Sequence, residues 1–231
     1  MTEREDFEFA ALRQAVNYRQ AVFNEFSPFL AGNVIEVGAG VGQMTELVHR
    51  RTAISRLVCV EPDARFCAEH RKLFGEIELV PGTIEDVPAQ TIWDAIVSTN
   101  VLEHISDDEG ELSRYGALLK RGKGKLCLLV PARPEIYGSI DRRFGHYRRY
   151  TRGELRTKLL ATGFRIDKLT YFNFPGYFAW WLNFCVLKRR KFNPSQVQFF
   201  DSFIFPLLNW CETRLFRPPI GQSLIAVAVA Q

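Results

Sequence analysis

The chain has 231 residues, 47% hydrophobic and 24% charged, enough for one domain with a large core and too few for a second catalytic domain beside it. Its net charge of +4 is concentrated at 142–149 and 188–191, a bias too mild to indicate a DNA partner. Five cysteines (59, 67, 127, 185 and 211) are odd in number and lack C-x-x-C spacing, which excludes a zinc ribbon or redox pair and leaves buried thiols.

The N-terminal "MTEREDFEF" is acidic where an export signal would be basic and then apolar, so a cytoplasmic location is expected. Leu12, Val16, Phe23, Phe26 and Leu30 then form a stripe that predicts one or two amphipathic helices, a helical lid over 1–32. Apolar runs at 33–38, 56–60, 76–81, 92–98 and 124–131 predict strands, and 42–51, 63–74 and 107–120 carry helical spacing between them. This alternation builds a parallel sheet covered by helices. "TRGE" at 151–154 reads as a capping box that opens a helix running to about Gly163, followed by a strand at 164–172. The segment 174–217 is an aromatic-rich insertion, and "SLIAVAVA" at 223–230 suits a strand buried inside the sheet. The organisation is one domain: lid 1–32, cofactor-binding core 33–173, cap 174–217 and last strand 218–231.

"NVIEVGAGVGQM" at 33–44 places glycines at 38, 40 and 42 directly after the first strand. A strand, a glycine turn and a helix form the nucleotide-binding opening of a doubly wound sheet. Gln43 stands where a dinucleotide fingerprint needs a small residue, and no Lys-Ser/Thr follows to make a phosphate loop. Glu36, two residues ahead of the first glycine, suits an amino-acid ammonium instead, which points to S-adenosylmethionine. Glu61 closes the second strand about 20 residues on, where such folds place a ribose-binding carboxylate. A helix-capping role after Pro62 is compatible with the same position.

Through "EVGAGVG", "VEPD", "GTIEDV", "STNVLEHI" and "GHYRRYTRGEL" the chain resembles class I S-adenosylmethionine-dependent methyltransferases, the bacterial small-molecule branch in particular. The resemblance implies an α/β fold: a Rossmann-like, doubly wound, seven-stranded sheet, mostly parallel with an antiparallel last strand. N-terminal helices precede it, and a helical insertion precedes the last strand. It implies cofactor contacts from Glu36, Gly38, Ala39, Gly40, Gly42, Glu61 and Pro62. It places Thr83, Ile84 and Glu85 at the adenine, with Thr83 where the pattern commonly has Asp, and Asn100 and Val101 beside the methionine part. Tyr18 carries over as part of a lid, with a core aromatic as the alternative.

Methyl transfer to a hydroxyl needs positioning and a base, and histidine is the natural base near neutral pH. The resemblance brings His104 and His146 to the active site. His146 is expected as the base ahead of His104, with Tyr147 and Arg148 or Arg149 facing the acceptor. His104 is read either as a base or as a brace for its loop. Some relatives use an E-x-x-E-H stretch as metal ligands, but here Asn100 replaces the first acid. Glu103 and His104 alone make a poor divalent site, so no metal is expected.

The insertion, with Tyr177 and Trp181, is expected to roof an apolar acceptor pocket. Membrane-surface contact through the basic run 188–191 and a homodimer face are the alternatives. The function expected is methyl transfer to oxygen or nitrogen of a small, partly hydrophobic metabolite. Methylation of RNA or of a lipid-linked glycan, or a non-catalytic cofactor-binding scaffold, remain alternatives.

Overall fold

A computed structural model describes residues 14–189, 191 and 193–231, so Leu12 and Arg190 of the expected stripe and basic run lie outside the described residues. The sheet has seven strands: β1 Gly32–Val37, β2 Ile54–Val60, β3 Glu78–Val80, β4 Ala95–Thr99, β5 Lys125–Pro131, β6 Phe164–Phe172 and β7 Ser223–Ala230. Their order is β3-β2-β1-β4-β5-β7-β6. β1 to β5 run parallel, and β7 inserts antiparallel between β5 and β6. This is the expected doubly wound sheet.

Strand side chains alternate between two faces, and both faces are covered, so the central strands are largely apolar, with Glu36 of β1 and Ser98 of β4 as buried exceptions. Ile35, Val58 and Leu126 pack on one side with Leu112, Tyr115 and Leu155 of the helices Asp108–Leu119 (α4) and Arg152–Ala161 (α6). Val34, Cys59 and Cys127 pack on the other with Phe26 and Phe205. The latter two come from Val16–Phe26 (α1) and from the insertion, so lid and cap share one core with the sheet.

The helices predicted at 42–51 and 63–74 shorten to Thr45–His49 (α2) and Ala64–Leu73 (α3). An unforeseen helix, Ser139–Phe144 (α5), forms in the arginine-rich stretch and ends at Gly145. Thr151 does cap α6, accepting from the Glu154 N–H at 3.1 Å. The insertion is a chain of short helical pieces: Phe174–Trp180 (α7) with a π turn over Trp181–Val186, Pro194–Phe199 (α8), a second π turn over Phe200–Ile204, and Phe205–Arg214 (α9).

Candidate active site

β1 and β4 lie side by side where the strand order reverses, and ligands of such sheets bind outside the carboxyl ends at that point. A cavity of about 1040 Å³ opens there, reached by the turns after β1, β2, β4 and β5 and roofed by the insertion. At one end of it, Gly38 and Gly40 hold positive φ angles of 69° and 56°. A side chain at Gly38 would strike Val101, whereas one at Gly40 would meet no protein atom within 4 Å. The chain therefore keeps the space over Gly40 open on a backbone that L-residues rarely adopt.

Glu61 is buried, accepting from the Gly40 N–H and from the Asp63 N–H, each at 2.8 Å. It thus ties the glycine turn to the start of α3, while Asp63 caps that helix. Burial raises the Glu61 pKa against those two bonds. Glu36 is more enclosed, and burial lifts its carboxyl to about 7 while hydrogen bonds from Thr45 and Cys59 pull the other way. Both carboxylates line the cavity. Asn100, at φ 54°, also lines it, a strained conformation of the kind that collects at functional sites.

At the far end, His146 faces the cavity with Nδ1 at 3.0 Å from Oδ1 of Asp141. A carboxylate only accepts, so Nδ1 carries the proton and the neutral ring keeps Nε2 as its acceptor. Asp141 is completely buried and also takes the Arg149 Nε–H and the Gly138 N–H, each at 2.8 Å. Burial alone would raise its pKa, but the His146 bond and the Arg149 charge hold it below the usual carboxylate range. Arg149 donates to the Ala132 carbonyl at 3.0 Å and lies 4.5 Å from the Trp180 ring centroid, locking cap to core.

His104 meets His146 edge-to-face at 4.7 Å between ring centres. Desolvation at the cavity wall, and the unfavourable charge it would share with a second imidazole, push its pKa below the ordinary imidazole range, so at neutral pH it is uncharged. One ligand atom from each of Glu103, His104 and His146 lies within 4.8 Å of the others. Glu103 and His104, a poor divalent site by themselves, thus gain a third partner in His146, which the turn at Gly145 brings to them.

The cavity brings together Tyr18, Glu36, Gly38, Ala39, Gly40, Glu61, Pro62, Asn100, Val101, His104, His146 and Arg149 among the expected residues. Others fall elsewhere. Gly42 backs onto Phe74 and holds the turn from behind. Ile84 is core, Thr83 caps a short turn, and Glu85 pairs with Arg114. Tyr147 is 62% exposed, its backbone N–H donating to the Glu103 carbonyl, and it lies outside the cavity lining. Arg148 is spent on Asp108 at 2.7 Å. Tyr177 and Trp181 lie outside the lining, and Trp180, one position earlier, faces in instead. Sequence reasoning also missed Asp141, whose pairing with His146 depends on the turn between them. It missed Asp201 too, although an acid inside "FFDSFIF" was a visible signal.

A family profile described as a methyltransferase domain matches residues 9–169. An uncharacterized methyltransferase of Bacillus cereus is 35% identical over 101 residues, which span 41% of this chain and 45% of that protein. A solved S-adenosylmethionine-dependent methyltransferase of Archaeoglobus fulgidus, 17% identical, superposes with a TM-score of 0.60 over 91% of this chain and 94% of its own. A magnesium protoporphyrin IX methyltransferase of Synechocystis solved with S-adenosylmethionine, 13% identical, reaches 0.57 over 100% of this chain and 85% of its own. The chain belongs to the methyltransferase-domain family that this profile describes, and it shares the fold of solved S-adenosylmethionine-dependent methyltransferases.

Proposed function

We propose that the protein transfers a methyl group to an oxygen or nitrogen of a small, partly hydrophobic acceptor, with His146 as general base when the acceptor is a hydroxyl. The observation that carries this reading is that the Asp141–His146 pair opens onto the same cavity as the glycine turn. The cofactor end fits S-adenosylmethionine: the space over Gly40 is open, and two buried carboxylates, Glu36 and Glu61, await hydroxyl and ammonium donors. Gly38 to Gly40, Glu61, Glu36 and Asn100 would hold it. When bound, it supplies a methyl on a sulfonium centre whose electron pair stays with sulfur.

The chain's own part is positioning, drying and proton removal. Asp141 fixes the His146 tautomer, and Nε2 takes the acceptor proton as the acceptor oxygen forms its new bond. Phe144, Trp180 and Phe184 line the acceptor side and favour an apolar body over a polar one. RNA is disfavoured because Arg149 is buried on Asp141 and Arg148 is paired with Asp108, which removes both from any basic face.

A second reading rests on the convergence of Glu103, His104 and His146: a divalent ion held there would lower the pKa of an acceptor hydroxyl in place of a base. Both readings are tested by screening metabolite pools with labelled S-adenosylmethionine, with and without a chelator. Turnover that persists in chelator supports the base. Turnover that stops, and returns with magnesium or zinc, replaces the base with the ion. No labelled product from any pool would overturn the enzymatic reading.

A further inference from the structure

The insertion turns many of its apolar residues outward. Phe203, Leu215 and Leu207 are 70%, 67% and 65% exposed, with Phe199, Trp210 and Phe216 all above half. Its carboxylates do the reverse. Residues 174–217 contain two acids, Asp201 and Glu212, and both are buried: Asp201 holds the backbone N–H groups of Asn17 and Tyr18, and Glu212 holds that of Phe174. The outer surface of the insertion therefore shows no carboxylate among the described residues. It does show Lys188, Arg189, Lys191, Arg214 and Arg217, all exposed.

A contiguous apolar face rimmed by one sign of charge marks an interaction surface. We propose that this face docks on a membrane surface carrying anionic lipid. Aromatic and leucine side chains enter the headgroup boundary by about 5–10 Å, while the basic rim stays at the phosphates. No helix among the described residues is long and apolar enough to cross a bilayer, so the mode is attachment from one side. A second copy is the poorer occupant, because a two-fold contact would bring the same five cations toward their own images with no acid between them. Leu182, Leu187, Phe199 and Ile204 both belong to this exposed face and line the cavity, so the cavity opens toward the docked surface. Docking itself does not depend on the methyl-transfer reading.

The test is sedimentation of the full chain with vesicles of phosphatidylglycerol and phosphatidylcholine, and with phosphatidylcholine alone, in the absence of cofactor. The expected result is binding to the anionic vesicles that weakens with salt. Lys188→Glu, Arg189→Glu and Lys191→Glu together should weaken that binding about a hundredfold. Phe203→Glu with Leu207→Glu should abolish it. All five positions are exposed, and unchanged melting temperature shows that each variant is folded. The proposal is overturned if the wild type ignores anionic vesicles at low salt, binds both vesicle types equally, or keeps its affinity in both variants. It is equally overturned if light scattering shows a dimer that Phe203→Glu with Leu207→Glu dissolves, which would give the face to a second copy.

Discussion

Nδ1 of His146 stands 3.0 Å from Oδ1 of Asp141, a carboxylate that no solvent reaches and that also carries the charge of Arg149. The histidine is thereby fixed in one tautomer, with its basic nitrogen 4.0 Å from Oε1 of Glu103 and its ring on the cavity lining. For a hydroxyl acceptor, His146→Ala should lower kcat by about 10²-fold or more and leave cofactor affinity unchanged. Asp141→Asn should lower kcat comparably, since an amide can donate to Nδ1 and put the proton on Nε2. It should also destabilise the fold by about 3–5 kcal/mol by leaving the Arg149 charge buried without its partner. Steady-state kinetics with calorimetry of cofactor binding checks both, and full turnover by His146→Ala would refute the base.

Glu36 gives a pH dependence at the other end of the cavity. Its carboxyl, near 4.5 when exposed, is lifted to about 7 by burial. Between those values the folded chain holds a proton that the unfolded chain has lost, so stability falls as pH rises through that window. At higher pH the cost is on the order of 3 kcal/mol, and Glu36→Gln should recover much of it. Cofactor affinity should move the opposite way, because the ionised carboxylate is the form that pairs with an ammonium. Affinity should fall about tenfold for each pH unit below about 7 in the wild type and less steeply in Glu36→Gln. Identical slopes in calorimetry at several pH values would remove Glu36 from the cofactor site.

The glycine-turn end of the cavity was legible in the sequence because its requirements are local. A glycine turn and an acid closing the next strand keep fixed spacing, and parallel pairing of β1 with β2 sets Glu36 opposite Cys59 and brings Glu61 to the same edge. The acceptor end was not, because its contacts are made between distant segments. His104 and His146 were visible singly, but their edge-to-face meeting depends on α5 and the turn at Gly145. Trp180 and Trp181 are adjacent aromatics, and which one faces in is set by the helix phase of α7 and its π turn, which no local pattern specifies. Tyr18 was read as part of a lid with a core aromatic as the alternative, and it lines the cavity while packing on Phe172 and Phe205.

At the glycine turn, Gly40→Val should abolish cofactor binding. The new side chain would occupy the space that is now open, and a β-branched residue at a φ of 56° strains the turn. Glu61→Ala should weaken binding by about 1–3 kcal/mol, through lost charged hydrogen bonds and a loosened Gly40 N–H. Calorimetry with S-adenosylmethionine and its demethylated product measures both losses. Undiminished affinity in the two variants would mean that the ligand lies elsewhere.

Asp201 joins the cap to the lid, its carboxylate accepting the Asn17 N–H at 2.8 Å and the Tyr18 N–H at 2.9 Å. These are orphan donors at the start of α1, and a negative charge there also meets the positive end of the helix. Asp201→Ala should cost about 1–3 kcal/mol, a shift of several degrees in Tm for a chain of this size. Tyr18 lines the cavity while its hydroxyl lies 3.3 Å from Ser223, so a loosened helix start should reach the cofactor as well. Ser223→Ala removes only that neutral contact and should change little. Melting curves with and without S-adenosylmethionine separate the effects: Asp201→Ala should lose both basal stability and part of the ligand-induced rise. A lower Tm with the full ligand-induced rise would make the contact a structural clamp alone, and would take α1 out of the cofactor site.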